Sequence, residues 1–545
     1  LPWGFVFLRP LGLRLKSVMK KTIDFLLVKF IVTAIVTVLD TLFAVIGFSP
    51  STMGICGMIF CVIVYITCMN ETNDAFLSVF KWNASNDSFI AFSLIIIFLR
   101  SLSLLFLQGA NTEIFSPILF LSVTVSIGVK RNFAIGIAKN IELLKESDAY
   151  LVGSFRDKDG KKYCDAEISE EFPDIVAKSY VIDPSERRGR RFVPIIYAAI
   201  LVLSLVIMYV RGLSMFFTAA AAMSVIAASL TGEMAFVLPY NTLQSRMRKK
   251  GMIFLGYTSI AALKDVSAVV IEDKELFPEE NTNVKKLTIK STKTDVTIRY
   301  IDRILKEIDS PAKHVFEGLE ALENEIPLSV EEVKYVKEKG VRAIINEDKV
   351  FFGSRNLLLA NNIEPYSQEK EASLLEDDSV MLYLAVNGEL SAAILFEYRY
   401  NEELKEKFDE IPELEFIIKT RDVAIDQTLM KKDFGIKKSK IFVTGEEEFE
   451  FFEDYEKKLR SGNAKVAMIT TSGASELPRM VLLAKDMADV FRFTIRSKHV
   501  GICLGILCCF AALLLSPASL NMGWLLLYNL IWLLPIIILS SYRRK

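Results

Sequence analysis

The segment Val266–Pro278 reads VSAVVIEDKELFP, an apolar run that gives way to the charged residues Glu272–Lys274. A short run rich in valine and isoleucine is typical of a buried strand, and the charged turn would then lie at the carboxyl end of that strand. The long apolar stretch Leu213–Leu238 ends shortly before this segment. The sequence therefore predicts an α/β domain that follows closely on a membrane-spanning segment.

The composition indicates a chain that is part membrane bundle and part polar domain. Of the 545 residues, 52% are hydrophobic and 24% are charged, and the formal net charge is -1. This is too apolar for an ordinary soluble enzyme and too charged for a membrane bundle alone. A helix crosses the hydrocarbon core with about 20 apolar residues. Stretches near that length predict about eight spans, at Ile23–Gly47, Met53–Met69, Phe89–Leu107, Ile114–Ala138, Val193–Val210, Leu213–Leu238, Val500–Leu515 and Trp524–Ser540.

Basic residues at the ends of these stretches predict the orientation. An even number of spans puts both termini on one side, and the positive-inside rule makes that side the cytoplasm. The residues concerned are Lys20, Lys21, Lys130, Arg131, Lys139, Arg187, Arg188, Arg190, Arg191, Arg246, Arg248, Lys249, Lys250, Arg543, Arg544 and Lys545. We expect a multi-pass protein of the cell membrane whose termini and large polar segment, 244–498, are cytoplasmic. The lipid bilayer is the expected partner, and no nucleic-acid partner is expected.

The first residues of the chain allow two interpretations. Residues 1–18 precede Met19, which opens a short basic segment before the first span. They are either an extension of a natural start at Met19 or an interfacial amphipathic segment.

The order of spans and loops resembles that of the heavy-metal-transporting P-type ATPases: four spans, a small loop, two spans, a large loop and two spans. The sequence after the sixth span follows the same family, with Pro239, a basic glycine-containing stretch and the strand-like run Val266–Ile271. In the family this strand ends in Asp-Lys-Thr-Gly-Thr, which carries the phosphorylated aspartate. Two later stretches, Lys339–Arg355 and Leu382–Leu390, resemble the family's nucleotide-binding domain.

The second half of the large loop alternates predicted strands with predicted helices. Glu415–Asp422 and Ala464–Met468 read as strands, and Asn401–Glu410 and Ala424–Phe434 read as helices. Such alternation predicts a parallel, doubly wound sheet, which by resemblance is of the haloacid-dehalogenase (HAD) type. The pair Asn387-Gly388 predicts a hairpin turn.

The resemblance implies a polytopic α-helical membrane protein with a cytoplasmic α/β HAD-like domain and an inserted α+β nucleotide-binding-like domain. The expected organisation is an N-terminal extension with four spans at 1–138, a shortened actuator-like loop at 139–192, two spans at 193–243, the HAD-like domain at 244–278 and 396–498, the insert at 279–395 and two spans at 499–545.

The family's catalytic positions carry different residues here. Phosphoryl transfer in the family needs a carboxylate nucleophile, groups that hold the phosphate, and a carboxylate that binds magnesium. Without a gap in the alignment Glu272 takes the nucleophile position, and with a one-residue insertion Asp273 and Lys274 take it. The family's Thr-Gly-Asp becomes Thr420-Arg421-Asp422, so a bulky cation replaces a glycine that lets backbone approach a ligand.

Other family positions are also altered. Thr471 and Ser475 stand at the magnesium-site positions after the third strand, so no hard anionic oxygen remains there. The loop 139–192 contains no Thr-Gly-Glu, the motif the family uses for dephosphorylation. Gly340 and Gly353 are the positions that resemble the nucleotide-binding glycines, and the family's Ser-Glu-His-Pro element has only an echo around His314.

The sixth span lacks the family's metal ligands. The stretch Leu230–Gly232 occupies the place of Cys-Pro-Cys, so the soft thiolates that select copper or zinc are absent. Glu233 follows directly and is an intramembrane carboxylate, which suggests an ion or proton ligand. The alternative is an internal polar cluster of the kind that Asp40 and Arg100 would also form.

Two main hypotheses for function follow. The first is a P-type ATPase-like pseudoenzyme that has lost ATP-driven phosphorylation, needs no cofactor, and acts as a regulatory, sensing or assembly component with a membrane or cytoplasmic protein partner. The second is a divergent active cation pump that uses ATP and magnesium, with Glu272 or Asp273 phosphorylated, Asp422 binding magnesium and Glu233 binding the ion. A channel or carrier derived from a pump is a third class. The segment Glu446–Phe452 is either a partner-docking face or a solvated amphipathic helix.

Overall fold

The computed structural model describes most of the chain in two compact units. The membrane unit comprises 1–148, 170–261 and 484–545, and the α/β unit comprises 149–169 and 262–483. The described residues are 11–107, 113–143, 150–157, 160–168, 184–317, 328–336, 340–376, 379–411, 413–427, 429–430, 440–461, 466–471 and 476–541. Residues 1–10 of the N-terminal segment lie outside the described residues, and so do Lys339 and Ser475.

The described part of the chain contains eight helices long and apolar enough to cross a membrane, which confirms the predicted number of spans. The long helices are α1 (Leu11–Ile46), α2 (Pro50–Thr67), α4 (Asn86–Phe106), α5 (Ser116–Leu143), α6 (Pro184–Arg211), α7 (Leu213–Ala227), α8 (Thr231–Arg248), α17 (Leu477–Leu515) and α18 (Met522–Ser541). The helices α7 and α8 together make the sixth span. A short helix, α3 (Met69–Phe80), was not predicted.

Glycines allow the membrane helices to pack closely. A Cβ atom at Gly57 of α2 would lie 2.6 Å from the Ser101 hydroxyl of α4, and one at Gly505 of α17 would lie 2.6 Å from the ring of Tyr528 of α18. Small residues at helix interfaces let two backbones approach, which is the main source of packing energy between helices in lipid.

The α/β unit contains a mixed sheet whose strands run in the order β12, β11, β4, β2, β1, β13. The strands are β1 (Tyr150–Arg156), β2 (Lys162–Ile168), β4 (Ala268–Glu272), β11 (Glu415–Lys419), β12 (Ile441–Val443) and β13 (Val466–Thr470). β4 pairs in parallel with both β11 and β2, and β11 pairs in parallel with β12. β1 is antiparallel to β2 and β13, so β13 runs in the same direction as β4.

The insert forms a six-stranded antiparallel sheet in the order β5, β10, β9, β8, β7, β6. Its strands are β5 (Thr282–Ile289), β6 (Val330–Val336), β7 (Gly340–Ile345), β8 (Asp348–Gly353), β9 (Ser379–Val386) and β10 (Glu389–Tyr398). The predicted hairpin turn is present between β9 and β10, because Asn387 and Gly388 both have positive φ, at 51° and 90°.

Shorter elements complete the chain. They are β3 (Met252–Phe254), α9 (Tyr257–Leu263), α10 (Asp273–Leu276), α11 (Thr294–Glu307), α12 (His314–Glu317), α13 (Arg355–Ala360), α14 (Gln368–Ala372), α15 (Glu402–Glu410) and α16 (Glu446–Arg460). α16 begins with three glutamates and ends with basic residues, which complements the helix dipole.

The strands β1 and β2 come from the small loop that was expected to be a shortened actuator. In the structure this hairpin lies inside the sheet, between β4 and β13. Aromatic packing holds it there: the Phe155 ring lies 3.9 Å from that of Tyr455 and 5.8 Å from that of Phe452, both on α16. The segment Glu446–Phe452 begins an amphipathic helix that buries Phe452 against the chain's own hairpin, and its use as a partner-docking face stays a prediction.

We predict that Gly153→Ala lowers the free energy of unfolding by about 1–3 kcal/mol, because the added methyl group would overpack the hairpin interface. A Cβ atom there would lie 2.3 Å from the Tyr455 hydroxyl and 2.8 Å from a methyl carbon of Leu459. Thermal unfolding of the purified protein measures the effect. Gly445→Ala is the matched control, since its Cβ atom would meet no other atom within 4 Å. Equal melting temperatures for the two variants would contradict the described hairpin packing.

Candidate functional site

Two buried carboxyl groups and a hydroxyl lie together at the adjacent carboxyl ends of β4 and β11. The Thr420 hydroxyl donates to an Asp273 carboxyl oxygen at 2.5 Å, and the amide of Asp422 donates to the same hydroxyl at 2.9 Å. The three side chains are buried. The carboxyl ends of neighbouring parallel strands are where α/β folds commonly bind ligands. Of the two nucleophile candidates, Asp273 is thus the one beside Thr420 and Asp422.

Glu272 lies in a different environment from Asp273. Its side chain is 47% exposed and one of its carboxyl oxygens lies 3.8 Å from the ammonium of Lys419. Lys419 is itself buried and bonds both oxygens of Glu456 at 2.5 Å. Glu272 therefore belongs to a charged cluster beneath α16 rather than to the Thr420 site.

Burial controls the protonation of the two aspartates. Burial raises the pKa of Asp273 to about 7, the Thr420 hydroxyl opposes this, and the charge of Asp422 adds to it. Burial also raises the pKa of Asp422, against the hydrogen bonds from Ser310, Tyr398 and the amide of Ala424. Because two carboxylates in one dry site cannot both ionise cheaply, a substantial fraction of Asp273 is protonated near neutral pH. A protonated carboxyl group is a weak nucleophile and a weak magnesium ligand.

Residues of the insert cover this pair. The Tyr398 hydroxyl, at the end of β10, donates to Asp422 at 2.6 Å, and the Ser310 hydroxyl donates to the same oxygen. The preceding residue, Asp309, has a φ of 50° and forms an ion pair with Lys274. The lysine that follows the candidate nucleophile is thus paired with the insert.

Arg421, which stands where the family has glycine, bridges other parts of the unit. Its guanidinium lies 4.3 Å from the ring centroid of Phe449 and 5.8 Å from that of Tyr335. One of its nitrogens lies 3.4 Å from a Glu453 carboxyl oxygen. Since Tyr335 is on β6 of the insert and Phe449 is on α16, Arg421 ties the insert to the sheet.

The third catalytic position is separated from the first two. β2 and β1 lie between β4 and β13, and adjacent strands are about 4.8 Å apart, so β13 lies about 14 Å from β4. Thr471, at the end of β13, is half-buried, and Ser475 lies outside the described residues. Magnesium takes its ligands at about 2.0–2.1 Å. The ends of β4 and β13 therefore cannot hold one ion together.

The candidate nucleotide glycines have a packing role. Gly340 and Gly353 are register partners of β7 and β8, and Gly340 has a φ of 145°. A Cβ atom at Gly340 would lie 2.3 Å from the carbonyl oxygen of Phe352. The imidazole Nδ1 of His314 lies 2.9 Å from the carbonyl oxygen of Pro311. Local packing and a local hydrogen bond account for these residues without a ligand.

A second candidate site lies in the membrane unit, where the sixth span is broken. α7 ends at Ala227 and α8 begins at Thr231, and a small cavity beside the break is lined by Asn86, Ser122, Ser126, Ser229 and Glu233 among others. The break thus falls where the sequence comparison put the family's metal ligands.

Lys498, a residue that the sequence analysis missed, lies beside this break. It is 2% exposed, and its ammonium donates to the side-chain oxygen of Asn86 and to the carbonyl oxygen of Gly232 at 3.3 Å. The sequence contained one signal for this residue, namely a lysine just before the predicted seventh span. In the structure α17 continues as one helix through that position, so Lys498 is part of the same helix as the span. Asp40 and Arg100 are buried in α1 and α4, away from the residues that line the cavity.

The described residues contain no group of three or more His, Cys, Asp or Glu side chains that could hold a metal ion. At the predicted cation-site positions that the structure describes, the carboxyl groups are those of Asp273, Asp422 and Glu233. Asp273 and Asp422 fit a magnesium ion poorly, because one oxygen of Asp273 accepts from Thr420 and both oxygens of Asp422 accept hydrogen bonds, from Ser310, Tyr398 and the amide of Ala424.

The fold has known relatives among solved structures. The chain is similar to a zinc-transporting PIB-type ATPase in the E2.Pi state, with a TM-score of 0.51, 9% identity and coverage of 94% of this chain and 98% of that chain. It is similar to a zinc-transporting PIB-type ATPase in the E2P state with a TM-score of 0.50, 10% identity and coverage of 94% and 99%. No family model and no curated protein matches the sequence. At this identity the likeness establishes the fold, and it confirms the predicted P-type ATPase architecture.

We predict that Asp273 makes the unfolding free energy depend on pH. Its pKa is 3.8 ordinarily and about 7 in the folded protein, so the folded state holds a proton that the unfolded state releases between these values. Stability therefore falls as pH rises through this window. In Asp273→Asn this contribution is absent. The melting temperature of the native protein minus that of the variant should therefore be lower at pH 8 than at pH 5, by at least about 3 °C.

The control for this measurement is Asp295→Asn, because Asp295 is an exposed carboxyl group in the first turn of α11. This variant should follow the native protein at both pH values. A constant temperature difference between the native protein and Asp273→Asn would show that Asp273 titrates normally and would contradict the description of the site.

Proposed function

We propose that this protein, which has the fold of a zinc-transporting P-type ATPase, does not form a phosphoenzyme and acts as a membrane-bound regulatory, sensing or assembly component. The observation that carries the proposal is the position of the β1–β2 hairpin between β4 and β13. The departures at Glu272–Lys274, Arg421, Thr471 and Ser475 are changes of side chain, whereas this one changes the distance between strands.

Phosphoryl transfer depends on charge neutralisation at one point. A metal ion and a lysine must both contact the transferring group while a carboxylate attacks it. By resemblance, the HAD-like site would combine groups from the ends of β4, β11 and β13. With β13 about 14 Å from β4, the described residue at its end, Thr471, lies too far away to contact a phosphate held at Asp273. Misplacement by about 1 Å already costs about a hundredfold in rate.

Contacts between the insert and the sheet also oppose phosphorylation. Tyr398 and Ser310 bond Asp422, Asp309 pairs with Lys274, and Arg421 lies near Tyr335. A nucleotide phosphate that reached Asp273 would have to displace these contacts. Hydrogen bonds to charged groups are worth about 1.5–3 kcal/mol each, and a buried group left without a partner costs a similar amount.

The membrane unit supports the same proposal. Lys498 lies at the helix break and bonds a backbone carbonyl that a transported cation could otherwise use. A divalent cation close to an ammonium in a medium of low dielectric is strongly disfavoured. The thiolates that would favour a soft metal are absent from Leu230–Gly232. Transport of copper or zinc through this position is therefore not part of the proposal.

One observation favours the alternative of a divergent active cation pump. Asp273, Thr420 and Asp422 lie together at the strand ends, as a phosphorylation site would require. In that case Asp273 would be the nucleophile, ATP and magnesium would be needed, and Asp422 would have to bind the ion after losing its bonds to Tyr398 and Ser310.

We predict no acyl phosphate on the native protein. The purified protein is incubated with magnesium and ATP labelled at the γ-phosphate, quenched in acid, and tested for label that hydroxylamine removes. The native protein and Asp273→Ala should carry the same background label, and an active zinc-transporting P-type ATPase treated in parallel is the positive control. Hydroxylamine-sensitive label on the native protein that is lost in Asp273→Ala would overturn the proposal. In the same assay, label that is lost in Glu272→Ala would identify Glu272, the other candidate, as the nucleophile.

A further inference from the structure

The inserted hairpin carries a buried acidic residue at its centre. Asp165 of β2 is 2% exposed, and one of its carboxyl oxygens accepts a hydrogen bond from the amide of Ala166 at 2.9 Å. The other oxygen is buried and has no hydrogen-bond partner among the described residues. Burying an ionised carboxylate in this way is costly, whereas burying the neutral acid costs much less.

The groups around Asp165 do not compensate a negative charge there. Glu456 and Tyr455 face it from α16, Lys419 from β11 and Glu272 from β4. The ammonium of Lys419 already bonds both oxygens of Glu456. On β1 the residue opposite is Gly153, and on β2 itself the neighbour is the uncharged Cys164. An ionised Asp165 would therefore add a second negative charge beside a pair that is already neutral.

The hairpin is joined to itself more extensively than to the sheet. β1 and β2 share seven register pairs, Tyr150↔Ile168 through Arg156↔Lys162. β1 and β13 share four, and β2 and β4 share only two, at Tyr163↔Ala268 and Cys164↔Val269. Because a strand seam is stabilised pair by pair, the seam with β4 is the weakest of the three. Release of the hairpin would therefore have to open this short seam and also separate Phe155 and Tyr163 from the rings of α16.

We propose that the hairpin is a proton-sensitive latch, which stays inserted between β4 and β13 while Asp165 is protonated and leaves the sheet when Asp165 ionises. Two separate features carry this: the short seam with β4, and an acidic side chain buried next to that seam whose nearest cation, Lys419, is already paired with Glu456. Release would expose the facing edges of β4 and β13. This inference goes beyond the proposed function and does not depend on it.

The direction of the pH dependence follows from the burial of Asp165. Burial, and secondly the charge of Glu456, raise the pKa of Asp165 well above its ordinary value, while Lys419 opposes the shift. Between the ordinary and the raised pKa the inserted hairpin holds a proton that the released hairpin gives up. Insertion is therefore strongest at low pH and weakens as pH rises through the raised pKa.

Cys164 reports on the latch directly. It is next to Asp165 on the same strand and is 1% exposed, so an alkylating reagent reaches it only when the hairpin leaves the sheet. The full-length protein, purified in detergent, is pulsed with iodoacetamide at several pH values between 6 and 9, and the fraction of alkylated Cys164 is measured by peptide mass. The native protein is compared with Asp165→Asn at each pH, which cancels the intrinsic pH dependence of the thiol.

The expected result is a native-to-variant ratio of Cys164 labelling rates that rises with pH, by about tenfold for each pH unit that lies below the raised pKa of Asp165, since one pKa unit corresponds to a tenfold change. Asp157→Asn is the matched control, because Asp157 is a carboxyl group in the turn of the same hairpin and accepts a hydrogen bond from the Tyr163 hydroxyl. This control should label like the native protein at every pH. A ratio for Asp165→Asn that stays constant with pH overturns the latch.

A second variant covers the case in which Asp165→Asn does not fold. Glu456→Gln leaves the ammonium of Lys419 to neutralise an ionised Asp165, so labelling of Cys164 in this variant should also lose its rise with pH relative to the native protein. A rise equal to that of the native protein would contradict the latch. The phosphoenzyme assay measures phosphorylation, which is a different property from labelling of Cys164. Formation of an acyl phosphate would therefore overturn the proposed function, while the latch would still be tested by the labelling ratios.

Discussion

The pairing of β2 with β4 is the contact on which the geometry of the α/β unit depends. Only two register pairs join these strands, yet they determine which strand lies beside the candidate nucleophile. The carboxyl ends of β4 and β11 stay adjacent and bring Asp273, Thr420 and Asp422 together, while β13 is displaced by two strands. Two of the three predicted site positions are thus adjacent in the sheet, and the third lies apart from them.

Contacts elsewhere in the chain also involve groups at the predicted phosphorylation and ion sites. Hydroxyl groups of the insert bond the acid pair, the lysine after the nucleophile position is paired with Asp309, and a lysine lies beside the broken sixth span. Each of these contacts satisfies a charge or a hydrogen-bonding group that a pump would use on ATP or on its ion. These contacts are the structural basis of the proposal that the protein has a regulatory or assembly role rather than a transport cycle.

The sequence was sufficient for the features that depend on local patterns. Apolar length predicted the eight spans, the runs of valine and isoleucine predicted β4 and β11, and the Asn387-Gly388 pair predicted its hairpin turn. The β1–β2 hairpin was not predicted, because its strands are half polar and their partners in the sheet lie far away in the chain. Lys498 was missed because the predicted span was taken to begin after it.

The strand order is tested most directly by cross-linking Cys164 to a cysteine placed at its register partner on β4. In Val269→Cys the native Cys164 should form a disulfide under mild oxidation, because the two residues face each other across adjacent strands. In Val269→Cys combined with Met468→Cys and Cys164→Ser, no disulfide should form between β4 and β13. A disulfide between residues 269 and 468, with none between 164 and 269, would show that the hairpin is not inserted and would contradict the account.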